Sequence, residues 1–136
     1  MAKILEISDT VYTGRQSALV VDDEPNVLVT VGAFLRRAGF AVATTGDSGE
    51  AMRLIADDPC IDVLITDFTM PGICGTELIS EAKQLRPTLK ALVMTGYPGA
   101  IAELPPGASM IVKPFRRVEL IDAVQSLLAE PEKVAN

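Results

Sequence analysis

Histidine is absent from this 136-residue chain, and cysteine occurs only twice, at Cys60 and Cys74. Zinc sites draw chiefly on those two residue types, so a zinc centre is disfavoured. Two cysteines without a repeated spacing fit reduced thiols in a cytosolic protein better than a disulfide framework. Basic charge is also scarce: 12 Lys and Arg against 18 Asp and Glu give a formal charge of -6. Sequence-independent nucleic-acid binding needs a basic footprint, so no nucleic-acid partner is expected. No apolar run approaches the roughly 18 residues of a membrane helix. Residues 1–17 lack a basic start followed by a long apolar stretch, so no secretory signal is expected either. The expectation is a cytoplasmic protein without a membrane partner. Neither an internal repeat nor a low-complexity tract interrupts the chain.

What is present is an apolar fraction of 49% and a regular alternation of short apolar runs with helical periodicity. The length suits one domain with one core. Strands are expected over 19–21, 40–43, 61–66, 89–94 and 110–112. Between them, Leu28, Val31, Leu35 and Ala38 recur at helical spacing after Pro25, which suits a first helical turn, and Gly39 is a natural stop. Ala51, Leu54 and Ile55 follow a capping-box pattern, Asp47 with Glu50. Leu78, Ala82 and Leu85 give a third inward stripe. Leu120, Val124, Leu127 and Leu128 give the last. Strands alternating with helices imply parallel pairing through right-handed crossovers, and near-continuous Val, Ile and Leu implies a sheet covered on both faces. The expected fold is α/β, a flavodoxin-like doubly wound five-stranded parallel sheet in the order 2-1-3-4-5. Residues 1–16 read as a flexible N-terminal arm, 17–129 as the domain and 130–136 as a tail.

One crossover is irregular. Pro98, Gly99, Pro105, Pro106 and Gly107 punctuate the stretch between the fourth and fifth strands. At most 100–104 is left for a helix, less than two turns, and nucleation makes that marginal. The fourth helix is therefore expected to be shortened, mobile or absent.

Four strands each deliver polar residues at the carboxyl end: Asp22 and Asp23, then Asp67, Thr95 and Lys113. In an open parallel sheet that edge carries ligands and chemistry. Three carboxylates, a hydroxyl and an ammonium converging there suit Mg²⁺ and phosphoryl chemistry on an aspartate. A carboxylate attacking a phosphoryl group meets mutual negative charge, so the site must supply positive charge. Mg²⁺ takes oxygen ligands and keeps several waters. Lysine offers a point charge to a phosphate oxygen.

The segments Val20-Val21-Asp22-Asp23-Glu24, Asp67-Phe68-Thr69-Met70-Pro71-Gly72, Met94-Thr95-Gly96 and Lys113-Pro114-Phe115 together resemble a response-regulator receiver domain. The resemblance implies that Asp67 accepts a phosphoryl group from a phosphohistidine on a histidine kinase or phosphotransfer protein. It implies Asp23, Asp67 and the backbone carbonyl of Thr69 as direct Mg²⁺ ligands, with Asp22 acting through a water. It implies that Thr95 and Lys113 contact phosphoryl oxygens and that the Lys113-Pro114 bond is cis. Such a domain is not an enzyme on other substrates and catalyses only its own phosphorylation and dephosphorylation.

This sequence departs from the commonest receiver pattern in having Met110 where an aromatic switch residue is usual. The candidate aromatic is instead Tyr97, and Thr95-Gly96-Tyr97 before a shortened helix resembles receivers of hybrid or HWE-type histidine kinases. The expectation is a switch of the 98–107 surface on phosphorylation, with Tyr97 as its handle. Little sequence follows Leu128, which suits a single-domain regulator or a receiver excised from a longer chain. Two other readings are an aspartate-nucleophile phosphatase of the haloacid-dehalogenase type and a binding module without phosphorylation. The first normally carries a second Asp two residues after the nucleophile, where this chain has Thr69.

Overall fold

The structure is a computed structural model that describes residues 5–7, 10–12 and 15–131. Leu5–Ile7 pairs antiparallel with Thr10–Tyr12 in a two-stranded sheet separate from the main one. The rest of the expected arm up to residue 14, and tail residues 132–136, lie outside the described residues.

The main sheet is built from β1 (Ser17–Val21), β2 (Ala41–Thr45), β3 (Ile61–Asp67), β4 (Lys90–Thr95) and β5 (Ala108–Val112). All its pairings are parallel, in the order β2-β1-β3-β4-β5. This is the 2-1-3-4-5 order expected of a doubly wound sheet. The helices are α1 (Pro25–Arg37), α2 (Ser48–Asp57), α3 (Gly75–Leu85) and α4 (Arg117–Ala129).

Each helix begins and ends for a local reason. Pro25 opens α1, Arg36 and Arg37 face the negative end of its dipole, and Gly39 follows its C-cap at φ 99, where a side chain would be strained. The Asp47 carboxylate accepts the Glu50 N–H at 2.7 Å and caps α2. At the starts of α3 and α4 the backbone N–H groups of Cys74 and Arg116 donate to Glu77 and Glu119.

Successive strand residues point to opposite faces, and both faces are covered. Ala18 and Val20 of β1 join Val31, Leu35, Leu120 and Val124 in the layer under α1 and α4. Leu19 and Val21 join Ala51, Ile55, Leu78 and Ile79 in the layer under α2 and α3. A fully buried Leu or Ile contributes about 1.5–3 kcal/mol, so these two layers carry most of the stability.

The β4–β5 crossover holds only a 3₁₀ turn, Pro98–Ala100, in place of a helix. Ile101 and Leu104 still pack half-buried against the α2–α3 layer. Gly107, at φ 80, and a turn from the Ala108 N–H to the Pro105 carbonyl lead the chain into β5.

Ala38, at the end of the α1 stripe, is exposed, and an inward expectation also fails in α3. Leu85 is 53% exposed, whereas Lys83 is buried, and Ile79 takes a core position instead. Lys83 Nζ donates to the Pro87 and Leu89 carbonyls at 2.9 and 2.8 Å, which satisfies the ammonium in place. At the same amino edge of the sheet, the Arg86 guanidinium donates to the carbonyls of Ile55, Asp58 and Ile61 at 2.6–2.7 Å. It thereby ties the end of α2 and the start of β3 to the end of α3. Arg86→Ala leaves these carbonyls without that donor and is expected to lower stability by about 2 kcal/mol. The check is a fall in the urea midpoint at unchanged m-value.

Candidate functional site

The carboxyl ends of β1, β3, β4 and β5 meet at one rim of the sheet. β1 ends at Val21, so Asp22 and Asp23 fall on the rim, with the Asp22 N–H donating to the Thr45 carbonyl at 3.2 Å. β3 ends on Asp67, and the next N–H, that of Phe68, donates to the Met94 carbonyl at 2.9 Å. β4 ends on Thr95, whose carbonyl accepts the Lys113 N–H at 2.8 Å. The Lys113-Pro114 bond is cis.

Carboxylate oxygens of Asp22, Asp23 and Asp67 all lie within 4.8 Å of one another, with Asp22 and Asp67 buried and Asp23 exposed. Lys113 Nζ donates to Asp67 Oδ1 at 2.8 Å and stands 3.6 Å from Asp22 Oδ2. Asp22 Oδ1 accepts the Glu24 N–H at 2.9 Å. Its Oδ2 is buried and makes no hydrogen bond among the described residues, with Lys113 Nζ no nearer than the 3.6 Å above. A lone-pair oxygen without a donor, beside two further carboxylates, is a cation site in chemical terms. The donor set is all oxygen and anionic, which fits a hard divalent ion such as Mg²⁺.

The charges show how poorly this cluster is compensated. Burial pushes the Asp22 carboxyl above its ordinary value, against the pull of the Glu24 N–H, and the neighbouring charge of Asp67 adds to the rise. Burial acts to lower the Lys113 ammonium, but the hydrogen bond and charge of Asp67, with that of Asp22, hold it above the usual lysine value.

The structure thus brings together four of the expected site residues, Asp22, Asp23, Asp67 and Lys113. Thr95 is buried at the neighbouring strand end, where its Oγ1 accepts the Tyr97 N–H at 2.9 Å. Thr69 is exposed in the loop after β3. The Tyr97 side chain is 79% exposed.

Gly75 is a site residue that the sequence reading missed. A Cβ on it would stand 2.3 Å from the Asp67 carbonyl and 3.0 Å from Phe68 Cα, and its N–H donates to the Phe68 carbonyl at 2.8 Å. The first turn of α3 is therefore seated directly on the backbone of Asp67, and only glycine permits that approach. The signal in the sequence was a glycine where any better helix former would serve an ordinary first turn.

A five-stranded doubly wound sheet that gathers an acidic cluster and a lysine at its carboxyl rim defines a class of signalling domain. Comparison with known proteins identifies it: residues 18–125 match the response regulator receiver domain, and the chain belongs to that family. It is 33% identical over 121 residues to the DNA-binding transcriptional regulator NtrC of Bradyrhizobium, covering 86% of this chain and 25% of that protein. It is 34% identical over 110 residues to the transcriptional regulatory protein FixJ of Rhizobium meliloti, covering 78% of this chain and 53% of that one. The chain thus spans only part of these relatives. Among solved structures, the receiver domain of the hybrid histidine kinase CckA superposes with a TM-score of 0.72 at 29% identity, covering 82% of this chain and 98% of the other. The response regulator TrrA of Thermotoga maritima, in complex with Mg²⁺ and BeF, does so with a TM-score of 0.72 at 28% identity, with the same coverage.

The raised Asp22 value has a consequence for stability without divalent metal. The folded state holds the Asp22 proton more tightly than the unfolded state, so stability falls as pH rises from the ordinary carboxylate value through the raised one. Asp22→Asn removes that titration. A series of urea midpoints in chelator should show the wild type losing stability across this window relative to Asp22→Asn.

Proposed function

We propose that the chain is a phosphoacceptor of a two-component system, taking a phosphoryl group from a phosphohistidine of a histidine kinase or phosphotransfer protein onto Asp67. The observation that carries this reading is the buried Asp67 carboxylate held at 2.8 Å by Lys113, beside two further carboxylates. In the step itself an Asp67 oxygen forms a bond to phosphorus while the P–N bond to the donor imidazole breaks. The leaving imidazole then takes up a proton. Mg²⁺, held by Asp22, Asp23, Asp67 and the Thr69 carbonyl, would supply the positive charge that offsets the phosphoryl oxygens.

The residues of the chain then have separate tasks. Lys113 holds the Asp67 carboxylate in one orientation before transfer. Afterwards the attacking oxygen of Asp67 is tied up in the acyl phosphate, a mixed anhydride, and the ammonium pairs with the phosphoryl oxygens instead. Thr95 Oγ1 accepts the Tyr97 N–H and keeps its own proton to donate to a phosphoryl oxygen. Drawing Thr95 inward draws the Tyr97 backbone with it, and so the start of the 98–107 segment, whose 3₁₀ turn follows at once. This segment is the switch surface, and Tyr97 is its exposed handle.

The donor must cover the rim to reach Asp67. A hollow of about 350 Å³ beside the rim, lined by Val27, Thr30 and Phe34 of α1 and by Lys113, Pro114 and Phe115, suits an apolar helix face of that donor. In this reading the chain acts only on itself and turns over no external substrate. Both cysteines are free, in keeping with a cytoplasmic setting.

The test is incubation with Mg²⁺ and acetyl phosphate, followed by intact mass measurement. Wild type should gain one base-labile phosphoryl group, and Asp67→Asn should gain none. An equal adduct on Asp67→Asn would remove Asp67 as the acceptor. With Mg²⁺ and beryllofluoride, wild type should show amide shifts reaching 95–107. Lys113→Ala should keep metal binding but lose most of these long-range shifts; wild-type shifts in that variant would exclude Lys113 from the response.

A further inference from the structure

The short β4–β5 crossover leaves an open trough on the face of the domain lined by α3. Two hollows of about 500 and 360 Å³ share Ser80, Pro105 and Pro106 and so run into one another. One wall is the outer face of α3 from Thr76 to the turn at Pro87, and the other is the strap 103–106. At the helical rise the α3 wall from Thr76 to Leu85 is roughly 15 Å long. An extended chain rises about 3.3 Å per residue, so the trough matches about five residues of extended peptide.

The walls also state what kind of peptide. Pro105 and Pro106 carry no N–H, so a guest cannot build a β-ladder along the strap there, and recognition must run through side chains. The upper hollow has three carboxylates on its walls, Glu77 and Glu81 of α3 and Glu103 of the strap, all exposed and with no cation among the lining residues. Glu77 spends one oxygen on the Cys74 N–H. Glu81 and Glu103 have no salt bridge among the described residues. The lower hollow has one cation, Lys83, and that ammonium is committed to two carbonyls. Half-buried Leu104 and the two proline rings supply apolar contact between the charges.

We propose that this trough is a docking site for a basic extended segment of a partner protein, with arginine or lysine side chains on Glu81 and Glu103 and an apolar residue against Leu104 and Pro105. The strap is tied down where it enters β5. Its end is pinned by the Ala108 N–H on the Pro105 carbonyl, and the Ala91 N–H donates to the Gly107 carbonyl at 3.4 Å. Docking here needs no phosphoryl group, so its test on the unphosphorylated chain can fail without touching the acceptor chemistry at Asp67.

The experiment uses the full chain without phosphorylation and a fluorescein-labelled, amidated pentapeptide of alternating arginine and alanine, with its glutamate counterpart as control. Anisotropy should show the arginine peptide binding and the glutamate peptide not binding. Amide shifts should be confined to 76–86, 103–104 and 107–108, the amides along and just beyond the trough. Glu81→Lys with Glu103→Lys should weaken binding at least tenfold. Asp57→Lys with Asp122→Lys makes the same change in net charge away from the trough and should leave affinity within about twofold. Equal loss in the two double variants, or shifts spread over other acidic surfaces, would reduce the effect to general charge attraction and overturn the proposal. Shifts in the trough on concentrating the protein alone would also overturn it, by assigning the trough to a second copy of this chain.

Discussion

The Lys113 ammonium, 2.8 Å from Asp67 and 3.6 Å from Asp22, is the contact on which the site depends. Among the described residues it is the one cation paired with the three carboxylates whose oxygens all fall within 4.8 Å. At an effective dielectric constant of about 20, two like charges at that separation repel by on the order of 3 kcal/mol. One lysine cannot cancel this for every pair. The orphaned Oδ2 of Asp22 is where the shortfall shows. The fold tolerates it because two buried apolar layers lie beneath the rim, and because backbone bonds to neighbouring strands fix the chain at Asp22 and next to Asp67. A site strained by its own charge favours a cation over an empty rim.

Mechanical connection follows from the same rim. Asp67 leads directly into a loop that returns to Gly75, where a Cβ would meet the Asp67 carbonyl, so α3 begins on the backbone of Asp67 itself. Thr95 is bonded through its hydroxyl to the Tyr97 N–H and through its carbonyl to the Lys113 N–H. A movement of Thr95 therefore reaches both the crossover and the lysine within one hydrogen bond. The crossover is the least reinforced element between strands, with one 3₁₀ turn and two half-buried apolar anchors, Ile101 and Leu104. Low-stability elements of this kind answer to contacts of only about 1–3 kcal/mol.

Much of this was legible in the sequence, because a polar residue that ends an apolar strand must emerge at the sheet edge. Asp22, Asp23, Asp67, Thr95 and Lys113 all stand out in that way. The lost crossover helix was legible from Pro105-Pro106 and the glycines. What escaped were positions decided by tertiary contact. Gly75 carries no chemistry, and its reason is the carbonyl of a residue on another element. Leu85 fits the apolar stripe of α3 but emerges, while Lys83 goes inward because two carbonyls of the following turn receive its ammonium. Arg86 likewise acts through backbone acceptors that periodicity does not display.

The central claim is that the carboxylate cluster holds a cation at the expense of the metal-free fold. It is tested most directly by urea unfolding of wild type and Asp67→Asn, each in chelator and in saturating Mg²⁺. The account predicts a reversal: removing one of the three like charges makes Asp67→Asn the more stable protein in chelator, and losing a ligand makes it the less stable one in Mg²⁺. The same order of stability in both conditions, with no rise of the wild-type midpoint on adding Mg²⁺, would contradict it.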